Sequence, residues 1–193
     1  MHHFTYNKTQ RQKILNPKII LQQAGLKEGM TVIDLGCNDG YFTIPAARIV
    51  GKTGRILGVD IDQQALLKLQ KSAGHNSLPN IYTANAPAED YLPNENFADL
   101  ILLSTVLHDF NDAQKVLKNA FKMLKPSAKL INIDWKKEYS NFGPPLEKRF
   151  SVDKTKNLLE QAGFSITSSD EINKLFYRLV GVKAETTSNI KFS

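Results

Sequence analysis

The chain has one cysteine, Cys37, among its 193 residues. One thiol excludes an intrachain disulfide, and it excludes an all-cysteine zinc or iron–sulfur site within one copy. No metal is expected. The longest apolar run, LILLSTVL over residues 100–107, is far shorter than the ~20 residues a membrane span requires. The N-terminus, MHHFTYNKTQRQKIL, is polar and basic and lacks the apolar stretch of a secretory leader. These absences predict a soluble, cytoplasmic protein. Repeats and low-complexity blocks are also missing. The net charge of +6 favours anionic partners, yet the basic residues are scattered and no Lys/Arg run is interleaved with aromatics. A solvated basic face accounts for the charge better than a nucleic-acid surface does.

What is present is enough apolar sequence, 41%, to build a core in a chain long enough for one compact domain. The reading is of a single domain over residues 1–193, with an N-terminal helix and lid over 1–28, a core over 29–184 and a loose tail over 185–193. Short β-type runs alternate with helical ones. Asn16-Pro17 caps a first helix that stops at Gly25. Strands are predicted at 31–35, 56–60, 81–84, 99–103 and 129–135. Between them, helices are predicted at 40–50, 63–73 (closed by Gly74) and 112–124 (ended by Pro126). Residues 86–96 are too polar and Pro-interrupted for more than a turn. A capped helix at 151–162 is followed by strands at 164–168 and 175–183, joined too tightly for a crossover and therefore antiparallel. This is an α/β fold: a doubly wound, Rossmann-like, mostly parallel sheet of seven strands with one antiparallel strand near the C-terminus. Ligands of such sheets sit beyond the carboxyl ends of the strands.

The first strand ends in Asp34-Leu35-Gly36-Cys37-Asn38-Asp39-Gly40 and passes directly into a helix. Gly36 and Gly40 allow a tight turn and let a ligand lie against bare main chain, although any strand-to-helix turn benefits equally. The spacing is not G-x-G-x-x-G, which disfavours a dinucleotide pyrophosphate and hence an NAD(P)-dependent oxidoreductase. The second strand ends at Asp60, where a carboxylate can accept hydrogen bonds from both hydroxyls of a ribose. Asp62 fits better as the cap of the next helix.

With these residues in place, the sequence resembles the class I S-adenosylmethionine-dependent methyltransferases over roughly residues 29–183. Asp34, Gly36 and Gly40 match the family's acidic, glycine-spaced first motif, Asn38 standing where a middle glycine is usual. Asn tolerates a left-handed backbone better than most residues. The resemblance implies a ribose acceptor at Asp60, an adenine flank at Ile61, and adenine contacts from the Asn85 carbonyl and the Ala86 backbone N–H. Cys37 and Ser104 fall within its cofactor-binding motifs, and Leu124-Lys125-Pro126 matches the family's turn before the fifth strand. S-adenosyl-L-methionine is thus the implied cofactor. A site with two Asp and no basic residue suits a sulfonium better than a pyrophosphate. The resemblance is nearest to the small ubiquinone/menaquinone-methyltransferase-like group.

On the acceptor side, His108 is the candidate general base, four residues beyond Ser104, and it reads equally well as a polar residue ahead of the following helix. Trp135 is either a pocket wall or core edge. Residues 139–149 and 4–14, the latter with Tyr6, are candidate lids. The Asn/Asp-Pro-Pro-aromatic motif of DNA and protein-glutamine N-methyltransferases is missing after the fourth strand. Cys37 is misplaced for a pyrimidine C5 nucleophile, and one cysteine cannot serve an arsenite methyltransferase. A small-molecule acceptor is expected, with RNA or protein as the alternative that the positive charge suggests.

Overall fold

The computed structural model describes residues 14–184. The lid predicted at 4–14, Ile14 excepted, and the tail at 185–193 lie outside the described residues. Helix α1 (Pro17–Gln23) leads into β1 (Thr31–Leu35), α2 (Thr43–Val50), β2 (Arg55–Asp60), α3 (Gln63–His75), β3 (Ile81–Asn85) and β4 (Ala98–Ser104). A 3₁₀ turn (Leu107–Asp109), α4 (Ala113–Met123), β5 (Leu124–Trp135), α5 (Val152–Gln161), β6 (Phe164–Glu171) and β7 (Phe176–Lys183) follow. The seven strands form one sheet in the order β3-β2-β1-β4-β5-β7-β6. β7 runs antiparallel to both neighbours, while β1 to β5 pair in parallel. The order reverses direction at β1, between β2 and β4, which opens a crevice at the carboxyl edge there.

Both faces of the sheet are covered, which is why its central strands are almost wholly apolar. Ile33, Leu35, Ile101, Leu103, Leu130 and Leu179 pack against Val116 and Leu117 of α4 and Leu159 of α5. Val32, Ile56, Leu100, Leu102, Ile131 and Val180 pack against Ile20 and Leu21 of α1 and Ala46 and Val50 of α2. Alternation along each strand therefore decides which layer a residue serves. Among the described residues, no helix is long and apolar enough to cross a membrane.

Element boundaries differ from the sequence reading by more than one residue at four places. α2 starts at Thr43 rather than residue 40, because Gly40 takes φ 90° and the chain must turn before it can wind. α3 runs past Gly74 to His75, since Asn76 closes it, its Nδ2 donating to Ser72 O at 2.7 Å. α4 gives way to β5 at Leu124, and Pro126 lies inside the extended segment rather than after a helix. Proline disfavours helical backbone in the residue before it, so the chain straightens at once. The ladder absorbs the irregularity, shifting register between Ala98 and Leu100. Finally, β6 continues to Glu171, which pairs with Tyr177, and a bulge between Ile166 and Ser168 keeps it in step.

Candidate active site

The carboxyl edge of the sheet gathers the loop after β1, the tip of β2, the end of β3 and the turn after β4. Asp34 is buried at the end of β1, where its Oδ2 accepts from Thr43 Oγ1 at 2.6 Å and so pins the first residue of α2. Beyond it, Gly36 has φ 73°, and a Cβ there would fall 2.4 Å from Val106 Cγ2. The loop after β1 and the turn after β4 therefore touch, and only glycine permits the approach. Gly40 is equally confined, with φ 90° and Leu69 Cδ1 2.4 Å from a virtual Cβ. Asn38 does take the left-handed backbone, at φ 49°. Its side-chain Oδ1 accepts the Asp39 N–H at 2.7 Å, a local bond of the kind that favours Asn in this region.

Asp60 ties this loop to β2. Its Oδ2 accepts the Asn38 N–H at 2.8 Å, and its Oδ1 accepts the Asp62 N–H at 2.9 Å. A carboxylate has about four acceptor directions, so two bonds leave room for two hydroxyl donors. Asp62 itself caps α3, accepting from Gln64 N and Ala65 N. Next to Asp60, Ile61 is 72% exposed, a large apolar side chain open to solvent at the sheet edge. Asn85 donates its Nδ2 to the carbonyls of Asp60 and Ile61 at 3.1 and 3.0 Å, which leaves Oδ1 as the side chain's acceptor.

Two residues are placed differently from their expected use. The Ala86 N–H donates to Asp60 O at 3.1 Å, so it serves the fold rather than pointing outward. The Cys37 side chain is buried with Leu66 and Leu69. Burial, with the charges of Asp34 and Asp60 adding to it, pushes this thiol far above its ordinary range, so it is an inert packing group. Its main chain remains in the loop, the N–H donating to Val59 O at 3.1 Å.

β4 ends at Ser104, whose buried Oγ has no hydrogen-bond partner among the described residues. Thr105 then takes φ 56°, a left-handed conformation that is a genuine outlier for a β-branched residue. That kink directs the chain into the Leu107–Asp109 turn and turns His108 inward. The imidazole is nearly solvent-free, and its Nδ1 lies 2.7 Å from Asp134 Oδ1. Nε2 lies 3.5 Å from Asp109 Oδ2, on the more exposed side. Burial pulls the imidazole pKa down, but the Asp134 hydrogen bond and the charges of Asp134 and Asp109 outweigh it. The net effect is a pKa above the ordinary histidine value, with Arg149 opposing.

Trp135 resolves as core edge: it is buried, and its ring centroid lies 4.3 Å from that of Phe176. Over it folds the segment after β5. Arg149, itself buried, donates to the carbonyls of Pro144, Lys136, Glu138 and Phe142 at 2.6–3.2 Å and so clasps residues 136–149 into one loop. Its guanidinium carbon also stands 5.4 Å from the centre of the Trp135 ring. Tyr139, Phe142 and Leu146 of this loop are exposed.

Sequence reasoning passed over Asp134. The signal was available in KLINIDW, where period-two alternation sets a carboxylate on the same buried face as Leu130. An ionisable group is rarely fully buried unless it has a partner.

The sequence matches the family described as Methyltransferase domain over residues 26–178. It is 31% identical over 131 residues to ubiquinone/menaquinone biosynthesis C-methyltransferase UbiE of Klebsiella pneumoniae, covering 67% of this chain and 51% of that protein. UbiE of Vibrio cholerae is 30% identical over 115 residues, 59% of this chain and 44% of that protein. The chain thus spans about half the length of the curated relatives it matches. Among solved structures, a SAM-dependent methyltransferase from Aquifex aeolicus superposes with a TM-score of 0.86 at 25% identity, covering 93% of this chain and 100% of that one. The cyclase SpnF shares the fold at a TM-score of 0.78 and 14% identity, covering 87% and 80%, so the fold alone does not name the reaction. On the family match over most of its length, the chain belongs to the methyltransferase domain family.

Proposed function

We infer that this protein is a cytoplasmic enzyme that transfers a methyl group from S-adenosyl-L-methionine to a small-molecule acceptor. The observation that carries the reading is Asp60, a carboxylate at the tip of β2 that already holds the Asn38 loop and keeps acceptor directions open. The donor set fits the cofactor. Asp60 would take the ribose hydroxyls, the exposed Ile61 would cover one face of the adenine, and Asn85 Oδ1 would accept from its amino group. The Gly36–Gly40 loop lacks the G-x-G-x-x-G spacing by which an NAD site holds its pyrophosphate on main-chain N–H groups. When bound, S-adenosylmethionine supplies an electrophilic methyl group for in-line displacement. Gly36 and Asn38 give the loop after β1 the bare main chain that would hold the cofactor, and Ser104 stands at the β4 edge of the crevice. His108, held in the adjacent turn, takes a proton from the acceptor at Nε2.

A small acceptor is supported by the relatives in quinone biosynthesis, while the +6 charge supports RNA or protein as a second reading. Calorimetry tests the cofactor: S-adenosylhomocysteine should bind and NADH should not, and the reverse would return the oxidoreductase. Transfer of label from methyl-labelled S-adenosylmethionine to a metabolite extract, with none to total RNA, is the expected acceptor result. Label in RNA alone would overturn the small-molecule reading.

A further inference from the structure

A histidine beside a crevice can serve as a base only if one nitrogen is unprotonated, turned outward and held there. His108 is buried with Nδ1 bonded on one side and Nε2 on the side of the more exposed Asp109, and the group that holds Nδ1 lies on another strand. Asp134 is the penultimate residue of β5, 26 positions along the chain, and its carboxylate accepts the His108 Nδ1–H at 2.7 Å. The same Oδ1 accepts the Trp135 N–H at 2.8 Å, which fixes the carboxylate in place. Both side chains are almost fully buried, at 2% and 1% exposure. We propose that Asp134 is a positioning residue for His108, holding the imidazole in the Nδ1–H tautomer so that Nε2 presents its lone pair toward the acceptor. The proposal rests on the reading of His108 as the base.

A packing role does not explain the carboxylate. Asp134 Oδ2 is buried and has no hydrogen-bond partner among the described residues. A half-paired buried carboxylate is costly, and an apolar residue on this face would stabilise the core better. Such a cost persists where a charge has work to do. Four groups surround the imidazole or its partner. Asp134 lies on β5, Asp109 in the same turn, Arg149 on the clasped loop, and Tyr177 of β7 opposite Asp134 in register. Of these, Asp134 alone has a hydrogen bond to Nδ1.

Nitrogen NMR of the cofactor-free protein tests this directly. The chain has four histidines, and His108→Gln identifies the signals of the one that matters. The wild type should show the neutral imidazole with Nδ1 protonated; an Nε2–H tautomer would overturn the proposal without any variant. Asp134→Asn keeps the side-chain shape and removes the charge. It should lower the titration midpoint of His108 by roughly one unit or more and mix the two tautomers. Calorimetry with S-adenosylhomocysteine confirms that the variant is folded. An unmoved midpoint and an unmixed tautomer would overturn the proposal. Label transfer to the metabolite extract then separates the two ideas. Asp134→Asn in a His108→Gln background should cost no further turnover, and additive losses would overturn the positioning role. Full turnover in His108→Gln alone instead overturns the base reading on which the proposal stands.

Discussion

The two halves of the carboxyl edge are built in opposite ways. The β1–β2 half, with Asn38, Asp60, Ile61 and Asn85, is open to solvent, and its polar groups are satisfied by backbone groups close by. The β4–β5 half, with Ser104, His108 and Asp134, is buried and leaves Ser104 Oγ and Asp134 Oδ2 without partners among the described residues. An exposed, satisfied site suits reversible binding of a polar molecule. A buried, incompletely satisfied one concentrates electrostatic effect where water cannot dilute it. Under the proposed function, binding and proton transfer fall to different halves of the edge, and substitutions should divide along the same line.

The largest effect should come from the buried half. His108→Gln should lower methyl transfer by ~10²–10⁴ while S-adenosylhomocysteine affinity stays within a few-fold, read by label transfer and calorimetry. Loss of affinity with turnover intact would erase the division. Next is Asp60→Ala, which removes charged acceptors and also frees the Asn38 N–H. Hydrogen bonds to a charged group suggest a loss of roughly 2–4 kcal/mol, or about 30- to 1,000-fold in cofactor affinity by calorimetry. An unchanged dissociation constant in a folded variant would remove the ribose assignment.

Ile61→Ala sharpens the open half. The side chain is already 72% exposed, so thermal stability should change by less than ~0.5 kcal/mol. Covering it with an adenine ring is worth about 1 kcal/mol of apolar burial, so affinity should fall about five-fold. The smallest effect is on pH dependence of stability. Asp134 and Asp109 outweigh burial and hold the His108 pKa above its unfolded value. A raised value stabilises the folded state below the unfolded pKa, and that contribution is lost as pH rises through the folded one. Urea unfolding of wild type and His108→Gln should therefore differ most below about pH 6.5 and converge at alkaline pH. A gap that widens with pH would mean that the charge of Asp134 does not dominate.

The open half was legible in the sequence because each of its residues lies at a strand end marked by a local turn or cap signal, even where the bonds between them span 22 or 25 positions. Asn38 and Asp39 are adjacent, Asp60 and Asp62 lie two apart, and the loop that joins them carries its glycines in sequence order. The parallel order of strands, the capped helices at Asn16, Asp62 and Ser151, and the antiparallel final pair were legible for the same reason. The buried half was not. His108 meets Asp134, and Arg149 meets four carbonyls, only after β5 has docked on β4 and the chain has folded back over Trp135. Side-chain direction decided Cys37, whose motif position was right but whose thiol packs inward. Pro126 misled because it disfavours a helix without excluding an extended strand.

The position of β7 has a consequence for how the molecule is made. β7 lies between β5 and β6, although it is the later of the two C-terminal strands to be synthesised. As the chain leaves the ribosome, β6 emerges with no neighbour to pair with, and the edge of β5 stays unpaired until β7 arrives. Asp134 and Trp135 belong to that waiting edge, opposite Tyr177 and Phe176. The open half can therefore assemble while translation is still under way, whereas the β5 edge that carries Asp134 is covered only when β7 arrives.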